Sequence, residues 1–411
     1  MTKVAVLGLD GVPYTFLNKM FSQGHLPNLR QLFKKGFFKK MMSTIPPVSS
    51  VAWTSFSTGK NPGEHGIYGF IDKDPGSDEI YVPLANDIKA KTLWEKLSEA
   101  GKRVVVLNVP LTYPPYKVNG ILVGCFLCPD INKLAYPTSI NKKLKSLGYR
   151  IDVDAKKIRE GKKQEYFDDL NLTLKKRFET AFYFLEREQW DYFHLHVMET
   201  DRINHFLWAD YEKGNNRNAA FFMEYYKKID SYAGEFISKL AKDTVLICLS
   251  DHGFCTVKKE VQLNYYLYQT GWLKLKKEPV QNLGDMADDS KAYSLIPGRI
   301  YITQARYKGA IAADLLKLRD EESGSQVIKA VYSREEIYQG RESDRAPDLV
   351  ALPCNGYDLK GKIDAERLFE KSALSGMHTY DDAFVFSDKI DFKEEKLDIS
   401  QIAAYILRVG N

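Results

Sequence analysis

Residues 249–254, LSDHGF, close the apolar run TVLICLS with a carboxylate and an imidazole side by side, Asp251 and His252, followed by Gly253. Such a pair at a strand end is useful chiefly when a cation sits between the two groups. The glycine is expected to let the backbone turn away at once. A second pair occurs in METDRINHF, where Asp201 and His205 stand at i and i+4, so one helical turn presents both on one face. Asp10 ends the run KVAVLGLD, and His378 stands just before the last short apolar run. Singly, each of these is an ordinary cap or turn residue. Together they are six Asp and His groups, the donor types that suit zinc and similar first-row dications; calcium or magnesium sites use oxygen almost throughout. Six donors exceed the needs of one tetrahedral ion. They suit two ions ~4 Å apart, an arrangement that clamps the attacking and leaving oxygens of phosphoryl transfer.

That chemistry needs a nucleophile, and STIPPVSSVAWTSFSTGKNPGEHGI (43–67) offers one. Pro46 and Pro47 impose an extended approach, and SSVAWTSF reads as a helix start with Ser49 near the N-cap. A hydroxyl there faces free backbone N–H groups and the positive end of the helix dipole. Lys60 does not make this segment a phosphate-binding P-loop, because Thr54 and Asn61 stand where Gly and Ser or Thr are required.

The elements that must position these groups are legible as alternating runs. Apolar, β-branched stretches at 3–11, 103–110, 120–126, 191–199 and 243–251 read as buried strands. Helical patterns cover 26–35, 50–57, 90–100, 165–187 and 218–240. Alternation of this kind predicts an α/β fold with a mainly parallel sheet flanked by helices, in which ligands sit beyond the carboxyl ends of the strands. From about 255 to 370 the chain turns polar and rich in Tyr and Lys. This stretch is expected to be an inserted cap lobe on a core built from 1–254 and 371–411, with GRIYIT (298–303) and PDLVALP (347–353) as its strands or as additions to the sheet edge. A helix over 400–408 closes the chain.

The ordered set LGLDG, TIPPVSSVAWTSFSTGKNPGEHGI, METDRINH, LSDHGF and MHTYDD resembles the type I phosphodiesterase/nucleotide pyrophosphatase family of the alkaline phosphatase superfamily. The resemblance implies an alkaline-phosphatase-like fold and two divalent metal ions, zinc first and manganese as the alternative. Asp10, Asp251, His252 and the Ser49 oxygen would hold one ion; Asp201, His205 and His378 would hold the other. It implies in-line attack by Ser49 on a small-molecule phosphodiester or phosphoanhydride, then hydrolysis of the phosphoseryl enzyme. Two departures stand out. Many relatives carry Thr as nucleophile, and here Ser50 directly follows Ser49. The nucleotide pyrophosphatase branch has an Asn three residues later, where this chain has Ala52. The same metal core would also serve a phosphomonoesterase or a phosphoglycerate-mutase-like phosphotransferase, for which Arg299, Arg306, Lys308 and Arg334 are candidate cations. A metal-binding protein without turnover is the alternative outside enzymes.

Composition narrows the partners. The 59 Lys+Arg against 54 Asp+Glu leave +5 over 411 residues, too weak a charge to argue for a nucleic-acid polymer or an anionic membrane. No stretch approaches the ~18 apolar residues of a spanning helix, and MTKVAVLGLDG has no signal-peptide pattern, so the expected location is cytoplasmic. Cys125 and Cys128 form a lone C-x-x-C, and the five cysteines fit a reducing compartment. His194 and His196 are expected as core or supporting groups, and His65 as structural.

Overall fold

The computed structural model describes residues 2–74, 79–276 and 282–410. Its centre is an eight-stranded sheet in the order Phe37–Met41, Ala383–Ser387, Val245–Leu249, Val4–Leu9, Tyr192–Val197, Val104–Leu107, Gly120–Val123, Ala135–Tyr136. The five apolar runs are the five consecutive parallel strands of this sheet, and antiparallel strands finish both sides. They are apolar throughout because both faces are covered. Ala5, Leu7 and Leu9 point into one core with Phe193, Leu195 and Val197, whereas Val4 and Val6 point into the other with Val104 and Val106. The first core is covered by helices Pro27–Phe33, Lys163–Arg187, Glu199–Lys213 and Arg217–Ser238. The second is covered by Ser49–Thr58, Leu93–Glu99 and Ile402–Gly410.

Register aligns the chemistry. Gly8 lies opposite both His196 and Leu249, so Asp10 and Asp251 leave the sheet at the same edge. At Gly253 the expected turn does not occur. Residues Gly253–Thr256 pair antiparallel with Gly376–Thr379, setting Phe254 opposite His378. His378 is therefore inside a strand of this two-stranded stem, just ahead of the last strand Ala383–Ser387. Glycine is required at 253 for closeness, since a Cβ there would lie 2.5 Å from Thr379 Oγ1.

Between the two strands of the stem, the chain builds a separate four-stranded sheet in the order Ala292–Leu295, Arg299–Ile302, Leu349–Pro353, Ile328–Ser333. GRIYIT and PDLVALP thus pair with each other and do not extend the main sheet. This sheet and the strands Lys259–Gln262 and Tyr357–Lys360 share a core around Val261, Leu267, Ile300, Ile311 and Leu359. It is tied to the segment after the Ser49 helix by Arg299, fully buried, whose guanidinium pairs with Asp72 and donates to Ile71 O. Among the described residues no helix is long and apolar enough to cross a membrane.

The Arg299–Asp72 pair generates a stability prediction. Removing one partner of a buried pair strands the other charge out of water, so Asp72→Ala is expected to lower unfolding free energy by about 3–5 kcal/mol. Chemical denaturation followed by circular dichroism measures this; a loss below ~1 kcal/mol would show that the pair does not hold the lobe.

Candidate active site

Asp10, one residue past its strand, is fully buried. Its Oδ2 accepts from Trp53 Nε1 at 2.9 Å and lies 2.9 Å from His196 Nε2. These contacts turn Oδ1 toward Ser49 Oγ, 3.2 Å away. Trp53 reaches this position because the first strand has Gly8 beside it, where any Cβ would come within 2.6 Å of the indole. Ser49 is the first residue of helix Ser49–Thr58, with Val48 as the N-cap, so it lies one position further in than the sequence suggested. Every residue of this helix is buried. Ser49 Oγ is also 3.2 Å from His252 Nε2, whereas Ser50 Oγ is buried without a hydrogen-bond partner. Asp251 joins the group through Oδ1, which accepts from Gly11 N at 3.0 Å, and Oδ2, 3.4 Å from His252 Nε2.

The remaining residues meet alongside. Asp201 Oδ1 is 3.3 Å from His205 Nε2 and 3.2 Å from His378 Nε2, and the two Nε2 atoms are 3.0 Å apart. The His252 and His378 rings stack at 3.6 Å between centroids. The structure thus brings all seven sequence-predicted residues into one continuous cluster. Donor atoms of Asp10, Asp251 and His252, and of Asp201, His252 and His378, lie close enough to hold an ion in each group, with His252 in reach of both.

The histidine tautomers test whether this cluster suits cations. His205 Nδ1 contacts Gly376 O at 3.0 Å, His378 Nδ1 contacts Pro47 O at 2.9 Å, and His252 Nδ1 contacts Gly253 O at 3.1 Å. A carbonyl only accepts, so each Nδ1 carries a hydrogen, and each ring in its neutral form turns a bare Nε2 lone pair inward. His205 and His378 then aim two lone pairs at each other. The fully buried Asp251 Oδ2 has no hydrogen-bond donor of its own. Inward lone pairs and an orphaned buried carboxylate oxygen are what a bound dication satisfies.

The charges tell the same story. Burial, reinforced by Asp10, pushes the Asp251 carboxyl up to about 8. Burial opposes ionisation of Asp10 and Asp201 as well, but His196 and His252 hold Asp10 low, and His205 and His378 hold Asp201 well below the usual range. Burial would lower His252, yet Asp251 and Asp10 outweigh it and raise the imidazole to about 9. Burial and then the charge on His252 depress His378 to about 4.

Three supporting groups carried no clear signal of their own. Trp53 and His196 fix Asp10; His196 is expected as a core or supporting group, whereas nothing local points from Trp53 to Asp10. Arg202, which donates to Asp152 and reaches Asp201 Oδ2 at 3.3 Å, hides beside the Asp it steadies. Glu199 is not part of the cluster: it is paired with buried Arg177 at 2.9 Å. His65 accepts from Ile67 N through Nδ1, bonds Ser55 Oγ through Nε2 at 2.9 Å, and is pushed by burial down to about 3, so it is a neutral structural ring.

The profile of the type I phosphodiesterase/nucleotide pyrophosphatase family matches residues 4–381. No curated protein sequence matches the chain. Among solved structures, phosphonoacetate hydrolase from Sinorhizobium meliloti 1021, in complex with phosphonoformate, is 17% identical with a TM-score of 0.72 over 100% of this chain and 96% of that one. Murine ectonucleotide pyrophosphatase/phosphodiesterase 5 is 15% identical with a TM-score of 0.62, covering 100% and 95% of the two chains. At these identities the likeness establishes the shared mainly parallel α/β architecture.

Protons held by the cluster give a measurable consequence. Asp251 at about 8 and His252 at about 9 are both protonated at pH 7, and both must shed the proton to become ligands. Titrating zinc into chelator-treated protein at pH 7 is expected to release about two protons per chain, and progressively fewer as pH rises past both values. Calorimetry in buffers of different ionisation enthalpy reads the number; no release at pH 7 would contradict this charge state.

Proposed function

The chain belongs to the type I phosphodiesterase/nucleotide pyrophosphatase family, metal-dependent phosphoryl hydrolases of the alkaline phosphatase superfamily, and on that premise we propose a two-metal hydrolase of small phosphodiesters or phosphoanhydrides of the nucleotide pyrophosphate type. The observation that carries this reading is one continuous cluster of three Nδ1-protonated histidines and three buried carboxylates, with Ser49 Oγ 3.2 Å from both Asp10 Oδ1 and His252 Nε2. Asp10, Asp251, His252 and Ser49 would hold one cation, and Asp201, His205 and His378 the other. When bound, zinc or manganese supplies charge that stabilises the phosphoryl oxygens and the departing oxygen.

The chain's own groups do the rest. Asp10 Oδ1, held by the Trp53 and His196 contacts on its other oxygen, accepts from the Ser49 hydroxyl and orients it. Ser49 attacks phosphorus in line, and the alcohol departs on the far side. The Ser50 backbone N–H, at the start of the helix and ahead of its first i→i−4 bonds, is available to a phosphoryl oxygen. It takes the place of a side-chain donor, because position 52 is a fully buried Ala. Water then hydrolyses the phosphoseryl enzyme. The lobe formed by 255–370 acts as the cap over this edge.

The mutase-like alternative loses its cationic grip. Arg299 is spent on Asp72, Lys308 pairs with Glu335, Arg334 with Asp348, and Arg306 stacks on Tyr307. None of the four lines the cavity beside His205 and His378.

Metal-loaded protein is expected to turn over bis(4-nitrophenyl) phosphate faster than 4-nitrophenyl phosphate. Ser49→Ala should lose at least ~100-fold in kcat, whereas Ser50→Ala keeps most of it. Preference for the monoester overturns the diesterase reading, and an unimpaired Ser49→Ala removes Ser49 as nucleophile.

A further inference from the structure

A cavity of about 280 Å³ opens onto the cluster at His205 and His378. It does not touch Asp10 or Asp251, the groups gathered around Ser49. Its walls come from both parts of the chain: Pro47, Val48, Phe70 and Met377 from the core, Ile296, Pro353 and Leu359 from the lobe. At ~30 Å³ per water, the space equals roughly nine waters, enough for a single-ring organic group. Small-molecule sites are apolar with a few placed polar groups, and this one follows that rule. Ile296, 39% exposed, is one of the few large apolar side chains left open to solvent, and it stands at this cavity.

The charge pattern limits what can enter. Besides the two histidines, the charged lining groups are Asp358 and Lys360, on one strand and two residues apart, hence on the same face. Lys360 Nζ is 2.7 Å from Asp358 Oδ2 and 4.0 Å from Glu260 Oε1. The cavity's lysine is thus neutralised by carboxylates from its own lobe and has no charge to spare for an anionic tail.

Resting on the phosphodiesterase reading above, we infer that the leaving alcohol of the substrate is a compact, uncharged, mainly apolar group of single-ring size that seats in this cavity, and that the Asp358–Lys360 pair selects against alcohols bearing a carboxylate. In an in-line displacement the departing oxygen lies opposite the attacking one. The lining of the cavity includes His205 and His378 but none of Ser49, Asp10, Asp251 and His252, so it is the side that takes the group that leaves. An anionic tail there would give up its hydration against apolar walls and an acid-paired lysine, an uncompensated cost.

Two diesters test this: methyl 4-nitrophenyl phosphate and its 3-carboxy-4-nitrophenyl counterpart, which differ by one carboxylate on the leaving ring. The wild type should favour the uncharged ester in kcat/KM by at least ~10-fold. Asp358→Asn, which frees Lys360, should narrow the ratio at least ~5-fold by raising turnover of the carboxylated ester. Equal use of both esters by the wild type, or an unchanged ratio in Asp358→Asn, overturns the inference. If neither ester is turned over, the hydrolase reading fails, and equilibrium dialysis against 4-nitrophenol judges the cavity by itself. Retention by the wild type that is lost in Ile296→Asp, a change at an exposed rim position, sustains an apolar ring site; no retention by the wild type overturns it.

Discussion

Three carboxylates and one imidazole withdrawn from water, with two half-buried imidazoles beside them, at one edge of a parallel sheet set the terms for the rest of the molecule. Asp10, Asp251 and His252 are wholly buried and Asp201 nearly so, and burial drives every one of them away from its charged form. Their mutual contacts outweigh that cost at Asp10, Asp201 and His252 but not at Asp251. Asp251 keeps an unpartnered oxygen, and two histidine lone pairs face each other across 3.0 Å. A cluster so arranged is stable as a unit when positive charge sits inside it, and the surrounding structure is organised to hold the donors where that charge is needed.

The organisation works through register and closure. Parallel pairing brings the ends of three strands level, delivering Asp10, Asp251 and the start of the Glu199–Lys213 helix to one edge. The antiparallel stem then returns the chain after a long excursion so that His378 stacks on His252. The excursion itself, anchored by Arg299 on Asp72, supplies half the walls of the apolar cavity. Pro47 serves both parts: its carbonyl fixes the tautomer of His378, and its ring faces the cavity. Ser49 is held between these parts, on a helix buried on all sides.

Much of the sheet was legible because both its faces are covered, which turns each central strand into an unbroken apolar run. The edge strand Phe37–Met41 was not, since its residues FFKKM are largely solvent-facing and lack both the run and clean alternation. The donor residues were legible by type and by position after strands, and the i, i+4 spacing of Asp201 and His205 is a helical fact visible in sequence. What the sequence could not carry was closeness. Gly253 looked like a turn and proved to be the tight side of a ribbon, and His378, ahead of the last strand as expected, proved to lie within that same ribbon. Trp53 carries no local mark of its role, yet its indole N–H is spent on Asp10, 43 positions away. Such contacts depend on which faces meet across the fold, and local pattern does not encode them.

The central claim is that these buried donors form two cation sites sharing one edge. Elemental analysis of protein saturated with zinc or manganese and freed of excess ion tests it most directly. Two ions per chain are expected in the wild type, falling to one in Asp251→Ala and to one in Asp201→Ala with the fold retained by circular dichroism. Fewer than two ions in the wild type, or two in either variant, would contradict it.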